Sequence, residues 1–119
     1  LLKLSPRHET ALEVLASAQH ESGRIRSARS TYERLIDVNP HRSRYYGRYA
    51  HVLGQLQEYS RGVAAAESAL ELDPSLVQAH QWLQQTYEHR GIEKLAEYHR
   101  RMAEQLTGGR NPAERGLER

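Results

Sequence analysis

Residues 68–74 read SALELDP, and shorter versions of this segment recur along the chain. Residues 35–40 read LIDVNP and residues 1–6 read LLKLSP, so prolines stand at positions 6, 40 and 74, each 34 residues from the next. Residues 103–108 fall where the same period predicts a fourth copy, with Gly108 in place of the proline. A fixed period of this length is typical of stacked repeats, in which each unit buries its apolar face against its neighbours.

The composition fits an elongated array better than a single compact core. Of the 119 residues, 38% are hydrophobic, and the mean hydropathy is −0.82, but a stacked array needs only a narrow apolar strip. The absence of cysteine excludes disulfides, cysteine-ligated metals and thiol nucleophiles. No apolar run has the length of a membrane span and no targeting segment is visible, so the default expectation is a cytoplasmic chain. The pattern is already under way at Leu1, so we expect a part of a larger protein.

The charge pattern disfavours nucleic acid as a partner. The net charge is +2, and fifteen acidic residues are interspersed with seventeen basic ones, whereas a nucleic-acid binder usually carries a larger and more segregated basic excess. One run, residues 42–49 (RSRYYGRY), interleaves arginine with tyrosine, a combination that can stack on single-stranded nucleic acid. Because Tyr46 and Tyr49 fall at predicted core positions, only Tyr45 is expected to be free to stack.

The spacing of apolar residues predicts two helices in each 34-residue period. The predicted helices span residues 9–21, 25–38, 43–56, 59–72, 76–90 and 92–107. Pro6 is expected to end an earlier helix, because proline disfavours helical backbone in the residue before it. Ser43 and Ser75 are expected to cap the third and fifth helices, and Gly23 and Gly91 to form turns within helical pairs.

The residues expected to face inward follow spacings of three and four. They are Leu12, Leu15 and Ala16 in the first helix; Ile25, Ala28, Tyr32, Leu35 and Ile36 in the second; Tyr46, Tyr49, Ala50 and Leu53 in the third; Gly62, Val63, Ala66, Ala69 and Leu70 in the fourth; Ala79, His80, Leu83 and Tyr87 in the fifth; and Ile92, Leu95, Ala96, His99, Met102, Ala103 and Leu106 in the sixth. Glycine inside a helix costs about 1 kcal/mol relative to alanine. Gly62 therefore indicates that a neighbouring helix approaches closely.

The last predicted helix carries charged residues opposite its apolar stripe, as a terminal helix needs where nothing stacks on it. We therefore expect five segments. They are residues 1–8, the end of a preceding repeat helix; 9–42, 43–76 and 77–107, three repeats of which the third is terminal with a polar outer face; and 108–119, a disordered tail.

The repeated residues resemble the tetratricopeptide repeat family. Its pattern has a large residue, Leu-Gly and Tyr in the first helix, and Ala, an aromatic residue and a closing Pro in the second. The matching residues are Leu12, Leu15, Ala16, Gln19, Ala28, Tyr32 and Pro40 in the first unit; Tyr46, Tyr49, Ala50, Leu53, Gly62, Ala66 and Pro74 in the second; and His80, Leu83, Gln84, Tyr87, Ala96, Arg100 and Gly108 in the third. The third unit departs from the pattern at Arg100 and Gly108. A pentatricopeptide array has a similar period but lacks the closing proline. The resemblance implies an all-α fold, a right-handed α-solenoid of antiparallel helix pairs, and a protein-interaction scaffold.

In this family the first helices of successive units line a groove that holds an extended peptide or a partner helix. The resemblance places in that groove Thr10, Glu13, Ser17, His20, Arg44, Arg48, His51, Gln55, Gln78, Gln81, Trp82, Gln85 and His89. Arg44 and Arg48 could hold a carboxylate or phosphate in bidentate fashion, and Trp82 offers a flat apolar anchor. Alternatively, the arginines are ordinary solvated charges and Trp82 is partly buried between helices.

One subclass of the family grips the C-terminal carboxylate of chaperones with Lys, Asn and Arg side chains. The matching positions here hold Glu13, Ser17, Arg48, Gln78 and Trp82. Of these, only Arg48 could donate to a carboxylate, and Glu13 has the wrong sign. A chaperone C-terminal carboxylate tail is therefore not the expected partner.

No residue pattern supports catalysis, a cofactor or a metal site. The seven histidines form no His-x-x-x-His pair or HExxH motif, and no glycine-rich phosphate loop is present. His80 and His99 lie on inward stripes and are expected to be core histidines with satisfied hydrogen bonds. We expect no enzyme activity in this segment, and a catalytic domain elsewhere in a larger protein stays open.

These observations favour a protein-interaction function, in which an extended or helical segment of a partner docks in the groove. Acidic groups of that partner are candidate contacts. The alternative is self-association into a homodimer through Leu1, Leu2 and Leu4, which are too apolar for a free end. Nucleic-acid binding ranks last. The sequence does not identify the partner.

Overall fold

Six α-helices make up the described part of the chain, residues 6–108 of a computed structural model. They are α1 (Pro6–Glu21), α2 (Ile25–Val38), α3 (Ser43–Gln55), α4 (Tyr59–Leu72), α5 (Val77–His89) and α6 (Glu93–Leu106). Helices α1 and α2, α3 and α4, and α5 and α6 pack as pairs, and α2 contacts α3 as α4 contacts α5. The predicted all-α solenoid of helix pairs is confirmed. The predictions for residues 1–5 and 109–119 lie outside the described residues.

The helix boundaries follow the prediction closely except at the start. The bounds of α2 and α4 are those predicted; α3 ends one residue earlier than predicted, and α5 and α6 are each one residue shorter at both ends. Helix α1 begins at Pro6 and not at residue 9, so residues 6–8 belong to this helix and not to a preceding one. Proline suits the first helical position, because its fixed φ is already helical and its missing N–H would have no partner there. In the described residues, no helix combines the length and the apolar character needed to cross a membrane.

The predicted serine caps are wrong. Ser43 is the first residue of α3, and Arg42 stands in the cap position without a side-chain hydrogen bond. Helix α5 begins at Val77, and Ser75 donates both its backbone N–H (3.0 Å) and its hydroxyl (2.6 Å) to the carboxylate of Asp73. Those hydrogen bonds lower the pKa of Asp73. Ser75 therefore stabilises the turn around Pro74 and not the start of the helix.

The turn inside each helical pair contains one residue with positive φ, and these residues also recur every 34 positions. Gly23 (φ 83°) and Gly91 (φ 75°) form the predicted turns in the first and third pairs. The second pair has Gln57 at the same place, with φ 62°. A residue with a Cβ atom is disfavoured in this left-handed region by roughly 1–2 kcal/mol, so the second turn carries backbone strain that the other two avoid.

Most of the predicted inward residues are buried; the exposed ones lie on α1 and next to or in α6, and others on α2, α3, α4 and α6 are partly buried. All four inward residues predicted for α5 are buried. Leu15, however, is 44% exposed. The residues Ile92, Leu95 and Leu106 of α6 are also exposed, so the apolar stripe on this helix is only partly covered.

On α3 the buried tyrosine is Tyr45, not Tyr46 or Tyr49, which are only partly buried. The prediction that Tyr45 is free to stack on nucleic acid is therefore wrong. Its hydroxyl donates to the Glu9 carboxylate of α1 at 2.5 Å. The hydroxyls of Tyr46 and Tyr49 donate to the Pro40 carbonyl (3.1 Å) and to a carboxylate of α2 (2.7 Å).

The first junction, between the first and second helical pairs, is held by carboxylates. Glu9 accepts from Tyr45 and from the amide of Asn39 (3.2 Å), and it forms an ion pair with Arg42 (2.9 Å). Glu33 accepts from Tyr49 and Arg29, and Arg29 also forms an ion pair with Glu58. The tyrosine hydrogen bonds are the largest cause of the lowered pKa values of both Glu9 and Glu33.

The second junction, between the second and third helical pairs, is stabilised by close packing of a tryptophan ring against two glycines. The Trp82 ring on α5 lies against Gly54 on α3 and Gly62 on α4. A Cβ atom added to Gly62 would come within 2.7 Å of Trp82 Cη2, closer than real Cβ contacts. The sequence-based expectation that another helix approaches Gly62 closely is therefore confirmed.

Candidate partner-binding trough

Two adjoining cavities form a trough beside α3 and α5, the first helices of the second and third pairs. One cavity, of about 420 Å³, lies beside Arg44 and Gln78, and the other, of about 220 Å³, lies beside Gln55 and His89. Both are lined by His51 and Trp82, so the two cavities adjoin at these residues, and together they are called the trough. The trough is defined here by its lining residues: Arg44, Gly47, Arg48, His51, Gly54, Gln55, Tyr59, Leu76, Gln78, Trp82, Gln85, Thr86 and His89.

Two glycines on α3 give the trough its depth. Gly47 and Gly54 share a helix face with Arg44, Arg48 and His51, because spacings of three, four and seven bring residues to one side. A Cβ atom at Gly47 would lie 3.3 Å from Leu76 Cδ2, and one at Gly54 would lie 3.1 Å from Trp82 Cζ2. A side chain at either position would therefore press on the opposite wall.

Trp82 both packs between helices and lines the trough. Its ring edge contacts the backbone positions of Gly54 and Gly62, and the residue is only partly buried. The same ring lines both cavities. The two alternatives for Trp82, apolar anchor and helix packing, are thus compatible in this geometry. An aromatic ring with one face packed and another surface open is well suited to contact a ligand.

The arginine end of the trough already holds a carboxylate from α1. Arg44 Nε donates to Glu13 Oε2 at 2.6 Å and Arg44 Nη2 donates to Glu13 Oε1 at 2.9 Å, which is a bidentate pair. Arg48 Nη1 lies 3.5 Å from the same carboxylate and 3.5 Å from Ser17 Oγ. The hydrogen bond from Arg44 lowers the pKa of Glu13, so this carboxylate stays charged at neutral pH. Because Arg48 contacts the carboxylate only at 3.5 Å, it is more available than Arg44 to bind a further anionic group.

Two histidines link α1 to the middle of the trough. His20 Nε2 lies 2.7 Å from Gln55 Oε1, and because an amide oxygen can only accept, this nitrogen carries the proton. The rings of His20 and His51 lie 5.2 Å apart between centroids. Partial burial, and then the nearby His20, lower the pKa of His51. The middle of the trough is therefore uncharged at neutral pH and offers ring faces and amides.

Eight of the predicted groove residues line the trough: Arg44, Arg48, His51, Gln55, Gln78, Trp82, Gln85 and His89. Three more, Glu13, Ser17 and His20, contact those residues from α1. Gln81 is exposed on α5 and lines neither cavity.

Sequence reasoning missed five lining residues: Gly47, Gly54, Tyr59, Leu76 and Thr86. The two glycines were detectable, since they interrupt the face of α3 on which Arg44, Arg48 and His51 recur. Tyr59 and Leu76 lie at or just before helix starts, where helical spacing gives no direction.

The comparisons with solved structures support the fold. The structure of PcrH in complex with the chaperone-binding region of PopD has a TM-score of 0.87 at 19% identity, covering 98% of this chain and 87% of PcrH. The tetratricopeptide domain of OM64 from Arabidopsis has a TM-score of 0.82 at 18% identity, covering 91% and 89%. A crystal structure of MamA has a TM-score of 0.80 at 21% identity and covers 84% of this chain, which spans only 58% of the MamA chain.

The family assignment comes from the sequence. The comparison with curated proteins found no match. The tetratricopeptide repeat profile matches residues 10–42 and 43–76, two adjacent units that together cover more than half of the chain. Repeats of this kind are protein-interaction scaffolds. The chain therefore belongs to the tetratricopeptide repeat family.

Proposed function

We propose that the trough binds an extended segment of a partner protein, with a partner carboxylate at Arg48 and Arg44 and an apolar side chain beside Trp82. The observation that carries this proposal is that the two cavities adjoin, because both are lined by His51 and Trp82. Adjoining cavities suit an extended chain that crosses both, whereas cavities far apart would suit isolated small groups.

The chemistry along the trough supports a segment of mixed character. At one end Arg48 lies with only long contacts to Glu13 and Ser17. A partner carboxylate can pair with it, and can compete with Glu13 for Arg44, without leaving a buried charge unpaired. At the other end, Gln55, Gln85 and His89 offer donors and acceptors to a peptide backbone.

The structure of PcrH with a region of PopD offers a precedent, because there the same fold is seen with a segment of another protein. The likeness at 19% identity extends to the fold alone. The residues that would contact a partner here are therefore inferred from this chain's own trough.

Peptide selection tests the proposal. We expect a random twelve-residue display library, selected against the whole chain, to yield peptides with an Asp or Glu near a large apolar residue. Arg48→Glu should weaken the selected peptides about tenfold or more, because it replaces a charge-assisted hydrogen bond with repulsion. Arg34→Glu, at an exposed position on α2, is the matched control and should have little effect. Equal effects of the two substitutions would contradict the proposal.

A second matched pair probes the other end of the trough. Gln85 lines it, whereas the neighbouring Gln84 hydrogen-bonds Glu88 on α5 at 3.2 Å. Gln85→Ala should weaken the selected peptides more than Gln84→Ala does, by isothermal titration. If the two variants bind equally well, the segment does not reach this end.

Self-association is the second candidate function. Its predicted contacts, Leu1, Leu2 and Leu4, lie outside the described residues, but Val14 and Leu15 on α1 are 64% and 44% exposed. The residue equivalent to Leu15 in the third unit, Leu83, is fully buried. Sedimentation at increasing concentration tests this candidate. A dimer that Leu15→Glu converts to monomer would support it, and a monomer at every concentration would contradict it.

A further inference from the structure

The third helical pair contains two buried histidines in direct contact. His80 on α5 is 3% exposed and His99 on α6 is 8% exposed. Their Nδ1 atoms lie 2.9 Å apart, and the Nε2 atom of His80 lies 3.0 Å from the carbonyl oxygen of Pro74. The contact joins the two helices of the pair directly.

The hydrogen bonds fix where the protons are. A carbonyl oxygen can only accept, so His80 Nε2 carries a proton and donates to Pro74. A neutral imidazole has one N–H, which leaves His80 Nδ1 bare as an acceptor. The 2.9 Å contact then requires His99 to donate from Nδ1. At neutral pH the two rings are therefore opposite tautomers.

This arrangement can hold one added proton but not two. The first can go to His99 Nε2, which leaves both hydrogen bonds intact. The second must go to His80 Nδ1, where the N–H would point at the N–H of His99 Nδ1. The hydrogen bond between the helices would then be lost, and two like charges would stand on rings whose centroids are 5.2 Å apart.

The groups that surround the pair do not stabilise added charge. Tyr87 on α5 stacks on His99 with centroids 5.8 Å apart, and Tyr98 on α6 meets its edge at 4.9 Å. From α4, Glu67 acts on Tyr87. From α3, His51 lines the trough beside Trp82.

The nearby carboxylates are engaged elsewhere. On α6, Glu97 and Glu104 pair with Arg100. In the turn before α5, Asp73 accepts from Ser75. Burial, followed by the charge of His80, lowers the pKa of His99 to about 4, and within the described residues no carboxylate offsets these two effects.

The other two helical pairs have no histidine at the equivalent positions. With the 34-residue period, His80 and His99 correspond to Leu12 and Thr31 in the first pair, and to Tyr46 and Ala65 in the second. The third pair is therefore singled out by its sequence as well as by its geometry.

We propose that His80 and His99 form a pH-sensitive latch between α5 and α6, which is closed at neutral pH and opens as the rings take up protons in acid. Opening would loosen α6 and then α5. Because α5 carries Trp82 and Gln85, release of a bound segment in acid would follow, a consequence that rests on the proposed function of the trough.

The test is made without a ligand, so its failure is distinct from a failure of the trough proposal. Hydrogen exchange of α6 amides is compared at pH 7.0 and 4.5, with the intrinsic rate change removed. The double variant His80→Leu with His99→Thr copies the first pair and is the comparison. We expect opening of α6 to increase about tenfold or more at pH 4.5 in the natural chain and less than twofold in the double variant. His41→Gln, at an exposed histidine outside the trough, should behave like the natural chain.

Equal pH responses of the natural chain and the double variant would overturn the proposal. If the double variant does not fold, nitrogen-15 spectra of the histidine rings of the natural chain decide the matter. Opposite tautomers at neutral pH, with His80 protonated on Nε2 and His99 on Nδ1, support the latch. The same tautomer on both rings, or two independent titrations near pH 6.5, would overturn it.

Discussion

The two junctions of this array are built differently, although the repeats that they join share one period. At the first junction, Glu9 on α1 and Glu33 on α2 accept hydrogen bonds from Tyr45 and Tyr49 on α3. At the second junction, Trp82 lies in a space left open by Gly54 and Gly62. The first junction should therefore respond to acid and the second to side-chain volume. The difference also explains why the trough is deepest at the second junction, where glycines replace side chains.

The largest expected effect is at the second junction. Trp82→Ala should lower the free energy of unfolding by about 3–5 kcal/mol, because it empties a partly buried ring site that touches two helices. Tyr98→Ala, at a residue that is 53% exposed, is the control and should change the free energy of unfolding by less than about 1 kcal/mol. Urea unfolding followed by circular dichroism measures both. Similar losses of stability in the two variants would show that packing of Trp82 does not stabilise this junction.

Gly62→Ala tests the same junction from the opposite side. The units on either side carry alanine at this position, Ala28 and Ala96, so the helix itself favours the substitution. The added Cβ atom would nevertheless meet Trp82 at 2.7 Å, and we expect a loss of about 1–3 kcal/mol from overpacking. In the presence of Trp82→Leu the same substitution should cost less. A gain in stability from Gly62→Ala alone would contradict the close contact.

The first junction should weaken in acid. The pKa values of Glu9 and Glu33 are lowered in the folded chain, chiefly by hydrogen bonds from Tyr45 and Tyr49. Groups with lowered folded pKa values contribute stability above their ordinary value of about 4.5, and this contribution is lost as the pH falls below it. Tyr45→Phe should cost about 1.5 kcal/mol at pH 7, as expected for a hydrogen bond to a charged group.

The control for that prediction is pH itself. As the pH falls below the ordinary glutamate value of about 4.5, the cost of Tyr45→Phe should shrink, because protonation of Glu9 removes the charge that the tyrosine hydrogen bond stabilises. Measurements are best made in the His80→Leu, His99→Thr background, so that the histidine pair does not contribute. A cost that is the same at pH 7 and pH 3.5 would show that the charge of Glu9 is irrelevant.

The smallest expected effect is in the turns. Gln57 has φ 62°, and the equivalent residues in the turns of the other two pairs are Gly23 and Gly91. Gln57→Gly should raise the free energy of unfolding by less than about 1 kcal/mol, because relief of left-handed strain is partly offset by the greater freedom of glycine in the unfolded chain. Gly91→Ala is the reverse substitution and should lower it. Calorimetry that shows both changes with the same sign would contradict this interpretation.

Much of the fold follows from the sequence because the period fixes it. Three prolines at a constant interval indicated the repeats, and helical spacing predicted four of the five buried residues of α5, all except Thr86. Of the adjacent residues Tyr45 and Tyr46, the sequence predicted the wrong one to be buried. Helix α3 packs against both α2 and α4, and the helical period alone does not show which of two adjacent rings these neighbours cover.

The candidate site was less predictable because it depends on pairing between side chains. Eight lining residues followed from the family resemblance, but the bidentate pair between Arg44 and Glu13 joins residues 31 apart and depends on how α1 lies beside α3. The serine caps failed for a similar reason. Asp73 offered Ser75 a local partner that helical spacing does not reveal.

The measurement that tests the central claim most directly is chemical-shift mapping of the whole chain with a display-selected peptide. Binding in the trough predicts the largest changes at the amides of Gly47 and Gly54 and at the indole N–H of Trp82, the only tryptophan. Amides of exposed residues such as Arg34 on α2 and Glu71 on α4 should change little. The reverse pattern, with the largest changes on α2 and α4 and none at Trp82, would contradict the account.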